Sequence, residues 1–220
     1  MSVEAEFLNS MPHFFGLGTA ELESITRFVF VRTAEKDEFI LIEGEPAETL
    51  YLVVSGAVKM LKTSVEGREH ILRIIRPGES FNDVPAFDGG QNLASVQAMG
   101  SVSLYGINKT NMEIILREHP SVALNVVKVL TQQVRYFVSL VEDLSFKHVI
   151  GRIAKLLLEY AGDSTGPGSK LTQQEMAAMV GTVREMVSRS LKLLEERGII
   201  RIDRHRIVIL DKKVLEEEAW

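Results

Sequence analysis

Apolar positions along this chain change their period twice. From Phe28 to Ile107 they come in short runs: FVFV, FILI, LYLVV, AVKML, HILRII, ASVQAM and VSLYGI. Turn formers stand between them, as Glu43-Gly44-Glu45-Pro46, Ser55-Gly56, Glu66-Gly67, Pro77-Gly78 and Asp88-Gly89-Gly90. Short apolar runs at near-regular spacing, split by glycine turns, predict many short strands closed into a barrel or sandwich. Thr19 to Arg27, just before them, is expected to form a short capped helix.

After Pro120 the pattern becomes helical. SVALNVVKVLTQQVRYFVSLVEDLSF holds neither glycine nor proline. Val127, Leu130, Val134, Phe137, Val141 and Leu144 step alternately by three and four, which is the seam of a helix paired with another like it. Val126, Val129 and Val138 widen the stripe, so one face is expected on the β domain and the seam on a second copy of the chain. Phe146 to Ile150 is the expected hinge. A helix, GRIAKLLLEYA, runs from there to Gly162, and Asp163 to Ser169 has the composition of a flexible loop.

The third pattern is LTQQEMAAMVGTVREMVSRSLKLLEERGII, Leu171 to Ile200, which predicts two short helices around a tight turn. Thr172 is a good N-cap, and Glu175 three residues on completes a capping box. Met176, Ala177 and Val180 supply the inner face of the first helix, and Gly181 suits a turn of positive φ. Thr182 is expected to cap the second helix, whose Met186, Val187, Leu191 and Leu194 point inward. Arg184, Glu185, Ser188 and Arg189 then face outward near its N-terminal end, the part that enters a major groove. Arginine bonds bidentately to guanine, and glutamate accepts from the cytosine amino group. A carboxylate on a phosphate-facing surface is costly unless it reads a base or orients an arginine, so Glu185 points to sequence-specific reading of double-stranded DNA. IIRIDRHRIVIL reads as a hairpin wing whose tip, Arg204, His205 and Arg206, is placed for phosphates, as are Thr172 and Thr182.

Composition adds limits. The net charge of −5 argues against nucleic acid until its distribution is seen: from Lys147 to Arg206 lysine and arginine outnumber aspartate and glutamate. Only the docked face feels the DNA closely. No run of about 18 apolar residues predicts a membrane span, and no secretory signal is visible at MSVEAEFLNSMPHFFGL. With 0 cysteines there is no disulfide, thiolate zinc site or cysteine-held iron–sulfur cluster, which fits the cytoplasm. No Ser/His/Asp or metal-ligand spacing and no phosphate-binding glycine loop marks an enzyme. The rival to a DNA reader is a ligand-binding signalling module whose winged helix contacts a protein.

GRIAKLLLEYA, the helix-turn-helix segment, and the order of strands, long helix and winged helix together resemble the CRP/FNR family of bacterial transcription regulators. The resemblance covers nearly the whole chain. It implies an α+β fold with three parts: a β-roll sensor (a double-stranded β-helix like that of cyclic-nucleotide-binding domains) over 1–118, a dimerisation helix over 119–146, and a winged helix-turn-helix over 147–220. It also implies a homodimer on a near-palindromic site, with half-sites roughly 34 Å apart, and RNA polymerase as a partner. In the family, the positions of Arg184, Glu185 and Arg189 read a TGTGA-like half-site, whereas Ser188 matches the oxygen-sensing branch.

The sensor departs from that pattern. Cyclic-nucleotide binders of the family carry Gly-Glu and then Arg-Ser on a short helix and loop beside Phe81; here these are Asn82-Asp83 and Leu93-Ala94. A buried phosphate needs a cation or a nest of donors; leucine offers neither, and Asp83 repels. The long-helix positions that would touch the base, normally Thr-Ser, are Phe137 and Val138. Cyclic AMP and cyclic GMP are therefore excluded as effectors. An apolar pocket lined by Phe81, Leu93, Phe137 and Val138 would suit an apolar molecule, haem, or nothing. For haem the candidate axial ligands are His13 and His70.

Overall fold

The computed structural model describes residues 3–160, 171–203 and 206–219. Contacts divide the chain into two units, Met1–Lys62 with Leu72–Tyr136, and Thr63–Ile71 with Phe137–Trp220. The cut falls inside the long helix rather than at 118 and 146. The helix's first turns pack in one unit's core and its last turns belong to the other unit.

The first unit opens with helix α1 (Ala5–Ser10), a single 3₁₀ turn (Pro12–Phe14) and helix α2 (Thr19–Thr26). Eight strands follow: β1 (Phe30–Ala34), β2 (Phe39–Leu41), β3 (Thr49–Ser55), β4 (Val58–Thr63), β5 (Glu69–Ile75), β6 (Ser80–Phe81), β7 (Ser95–Ala98) and β8 (Val102–Asn108). Helix α3 (Asp83–Asp88) lies between β6 and β7 in sequence, and α4 (Lys109–Glu118) and α5 (Pro120–Phe146) follow β8. The strands form two four-stranded sheets, ordered β1-β8-β3-β6 and β2-β7-β4-β5. The glycine-split apolar runs predicted strands closed into a barrel or sandwich, and crossovers of this kind make the roll that the family resemblance implied.

Alternation explains why β3 and β8 read as unbroken apolar runs. Successive strand residues point to opposite faces. Tyr51 and Val53 of β3, with Val102 and Leu104 of β8, fill the roll interior beside Phe81, Val96 and Ile75. Leu50 and Leu52, with Tyr105 and Ile107, face a second core built by α1, α2, α4 and the start of α5. The helical elements around the roll are short and irregular in pattern, and α1, α4 and the two-residue β6 were not expected.

Helix α5 divides its apolar residues between two faces. Val122, Val126 and Val129 are buried, and Val122 and Val126 belong to the first unit's core. Val127, Val134, Val138 and Val141 are 59%, 61%, 62% and 63% exposed. Two seam expectations change. Leu130 packs half-buried on the first unit's own core, because it lies one turn beyond Val126. Val138, expected against the β domain, stands with the exposed set. Leu144 remains exposed and Phe137 is half-buried.

The second unit adds α6 (Val149–Tyr160), α7 (Gln173–Val180), α8 (Arg184–Glu196), the hairpin β9 (Ile200–Asp203) and β10 (Arg206–Ile209), and α9 (Lys212–Glu218). Its core joins Ile153, Ala154 and Leu157 of α6, Met176, Ala177 and Val180 of α7, and Val187, Leu191 and Leu194 of α8. Leu215 of α9, which the polar run around it concealed, is fully buried there. The loop expected to be flexible, Asp163 to Ser169, lies outside the described residues. No described helix is long and apolar enough to cross a membrane.

The β3–β4 turn gives a direct test of the roll. Gly56 has φ +78°, and a Cβ there would lie 2.5 Å from the Ser101 carbonyl oxygen. Gly56→Ala should cost about 1–3 kcal/mol of unfolding free energy in urea, from the forced φ and the overlap together.

Candidate nucleic-acid interface and sensor loop

The helix-turn-helix is locally specified. Thr172 Oγ1 accepts from the Glu175 N–H at 3.2 Å, and Glu175 Oε2 accepts from the Thr172 N–H at 2.7 Å and from its hydroxyl at 2.8 Å. The capping box is as expected, but it engages the Thr172 hydroxyl that was assigned to a DNA phosphate. Gly181 ends α7 with φ 66° and ψ 50°. A Cβ there would lie 2.9 Å from Leu144 Cδ2, so two constraints hold this position to glycine. Thr182 does not cap α8. Its N–H still bonds back to the Ala177 carbonyl at 2.9 Å, and the extended Val183, with no side-chain cap bond, fills the N-cap position. The chain needs both residues to turn from one helix into the next.

Helix α8 sorts its residues as the sequence predicted. Val187, Ser190, Leu191 and Leu194 are buried, while Arg184, Glu185, Ser188 and Arg189 are exposed. Met186 is half-buried, and its sulfur lies 4.0 Å from Arg189 Nη1. Among the described residues Arg184, Glu185 and Ser188 engage no other side chain, so their donors and acceptors are open to an incoming partner. Glu185 also sits in the first turn, where the helix dipole favours a carboxylate. Beyond α8, the Ile202 N–H donates to Glu195 Oε1 at 2.8 Å and ties the hairpin to the helix. In the hairpin Asp203 pairs with Arg206. Arg204, His205 and the Arg206 side chain, the expected phosphate contacts of the wing, lie outside the described residues.

The expected hinge, Phe146 to Ile150, is narrower and more tightly held than its sequence suggests. Only Lys147 and His148 separate α5 from α6. Asp143 pairs with Lys147 at 3.0 Å and with Lys155 of α6. Burial pushes the Asp143 carboxyl up, but Lys155 and Lys147 outweigh it and hold the group below its ordinary value. Arg152 donates from Nε to the Val180 carbonyl and from Nη1 to the Lys147 carbonyl, both at 2.8 Å. These contacts join α5, α6 and α7 within the second unit. His70, on β5, adds another: its Nδ1 lies 2.7 Å from the Ala178 carbonyl oxygen, which makes that nitrogen the donor.

In the sensor loop the structure builds a buried polar cluster. Phe81 is buried and stacked on Tyr51, ring centroids 5.2 Å apart. Asn82 takes the left-handed conformation, φ 66°, and donates from Nδ2 to the Thr49 carbonyl at 2.9 Å. Asp83 is 2% exposed. Its Oδ1 meets His13 Nε2 at 2.8 Å and Ser80 Oγ at 2.9 Å, and its Oδ2 accepts from Gln133 Nε2 at 2.9 Å. Burial works against this carboxylate; the hydrogen bond and charge of His13, with Gln133 and Ser80, overcome it and hold its pKa below the ordinary value. His13 therefore spends Nε2 on Asp83, while its Nδ1 is buried with no hydrogen-bond partner among the described residues. Leu93, expected to line a pocket, is 58% exposed, and Ala94 is buried. Phe137 and Val138 belong to the second unit. Among the described residues no group of three or more His, Asp or Glu side chains is arranged to hold a metal ion.

Sequence reading missed the partners that complete these clusters: Ser80, Asn125, Gln133, Asp143 and Arg152. Asn125 carried a signal, since it is the polar residue among the buried valines of α5. Its Nδ2 donates to the His13 carbonyl at 3.2 Å and the Phe15 carbonyl at 2.9 Å.

Residues 31–119 match the cyclic nucleotide-binding domain family, and residues 151–218 match the Crp-like helix-turn-helix domain family. The chain is 30% identical to the "Cyclic AMP receptor protein" of Thermus thermophilus, over 97% of this chain and 99% of that one. Among solved structures it is similar to FixK2 from Bradyrhizobium japonicum, with 26% identity, TM-score 0.76, and coverage of 87% of this chain and 98% of that one. It is also similar to a transcriptional regulator of the CRP/FNR family from Thermus thermophilus, with 27% identity, TM-score 0.73, and coverage of 86% and 98%.

A cyclic nucleotide's phosphate would meet no side-chain cation in the loop of this chain. From Asn82 to Ala94 the loop carries no lysine or arginine, and its one buried carboxylate is already saturated. Calorimetric titration with cyclic AMP and with cyclic GMP should give no heat of binding up to millimolar ligand. A micromolar Kd for either would overturn this reading of the loop.

Proposed function

Because the chain belongs to the CRP/FNR family of transcription regulators, we propose that it is a homodimeric, sequence-specific DNA reader controlled by something other than a cyclic nucleotide. The observation that carries this is α8: four polar side chains exposed along one face, three of them unengaged among the described residues, with the opposite face buried in its own core. Arg184, Glu185, Ser188 and Arg189 would read base edges of a TGTGA-like half-site, with Thr182 and the wing holding phosphates. Exposed Val127, Val134 and Val141, with Leu144, form the apolar stripe on which a second copy's α5 would pair. Two α8 helices set in this way favour a near-palindromic site. A protein that reads genomic DNA works in the cytoplasm of a bacterium, and family membership makes RNA polymerase the expected partner there.

Control would act through α5. Its pairing sets the spacing of the two α8 helices, and a spacing that misses one half-site forfeits those base contacts while leaving phosphate attraction intact. Arg189→Ala should therefore weaken binding to the preferred site by about 1–3 kcal/mol and leave random DNA nearly unaffected. Fluorescence anisotropy with the two DNAs checks this. Equal loss on both would remove Arg189 from base reading.

A further inference from the structure

Asp83 is the most heavily invested polar group of the first unit. Its two oxygens accept from three elements: His13 of the N-terminal 3₁₀ turn, Ser80 of β6, and Gln133 of α5. The same helix returns to that turn through Asn125, which donates to the carbonyls of His13 and Phe15. Two turns of α5 thus carry two polar side chains, eight residues apart, that both end in this cluster. His13 and Asp83 are 1% and 2% exposed, and a bond made there is shielded from water. A buried carboxylate left without its partners is strongly destabilising, so each of these bonds supports the others.

From this juxtaposition we propose that the His13–Asp83–Gln133 cluster is a built-in strut that fixes α5 to the sensor loop, so that the DNA-reading state needs no small-molecule effector. The inference rests on the DNA-reading function proposed above. Its logic is that of occupied bonding capacity. A ligand that joined the loop to α5 through polar contacts would need acceptors or donors on both sides. Here Asp83 spends its acceptors on His13, Ser80 and Gln133, and Gln133 already donates one N–H across the junction. The free energy that a ligand would contribute to a docked α5 is already part of the fold.

Gln133 is the position at which to test it. It is half-buried on a helix surface, so alanine, the best helix former, replaces it without a cavity or a helix break. The protein is unfolded, dialysed and refolded to remove any bound molecule, then measured in two ways. In hydrogen exchange, Gln133→Ala should speed the amides of the middle turns of α5 by about tenfold, a coupling of ordinary size. On the preferred DNA site it should raise Kd by about the same factor. Gln133→Glu, which sets a second carboxylate against Asp83, should be worse than alanine. Adding Asp83→Asn to it should restore most of the loss, because the asparagine amide donates to the new carboxylate.

Unchanged exchange in Gln133→Ala overturns the strut, whatever the DNA result. Faster exchange with unchanged Kd overturns its role in reading. A refolded wild-type protein that binds the site only after a small molecule is added overturns effector independence. If the wild-type protein enriches no preferred site at all, it is the DNA-reading function that fails, and the exchange measurement still decides the strut.

Discussion

Helix α5 has to satisfy two apolar faces at once, and the rest of the molecule is arranged around that requirement. Val122, Val126 and Val129 are covered by the chain's own first unit, whereas Val127, Val134, Val138 and Val141 are left in water. Single exposed apolar residues are ordinary, but a stripe of valines along a 27-residue helix is not. A second copy of the same stripe is the simplest cover, since like seams pair knob into hole. The helix also runs from one compact unit into the other.

Each end of α5 is fixed by a different kind of chemistry. At the sensor loop the ties are hydrogen bonds, Gln133 to Asp83 and Asn125 to the backbone beside His13. At the C-terminal end they are ion pairs, Asp143 with Lys147 and Lys155, backed by Arg152 on two carbonyls. One of the Arg152 bonds reaches the Val180 carbonyl, one residue before the glycine that turns α7 toward α8. Both sets of ties act on one continuous helix. In this chain the loop carries no lysine or arginine from Asn82 to Ala94, and its buried Asp83 is held by His13 of the N-terminal turn.

Much of this was legible in the sequence because the signals were local. Glycine-split apolar runs marked the many short strands, and the capping box at Thr172, with Gly181 closing the same helix, marked the helix-turn-helix. The outward face of α8 followed from its period. Thr182 misled because a threonine before a helix looks like a cap, while the turn after Gly181 uses up that residue first. Leu130 misled because its heptad place is shared with the stripe that packs on its own unit. The His13–Asp83 pair was not legible: the two residues are 70 apart, and Asp83 read alone looked only like a charge repelling phosphate. Burial and a histidine supplied by a distant turn gave it a different meaning.

The most direct measurement of the central claim is selection from a randomised DNA pool with purified, refolded protein and no added ligand. The account predicts enrichment of an inverted repeat whose half-sites are centred about one helical turn apart. A pool that remains random after selection, or one that enriches a single unpaired half-site, would contradict a dimeric reader built on the α5 stripe.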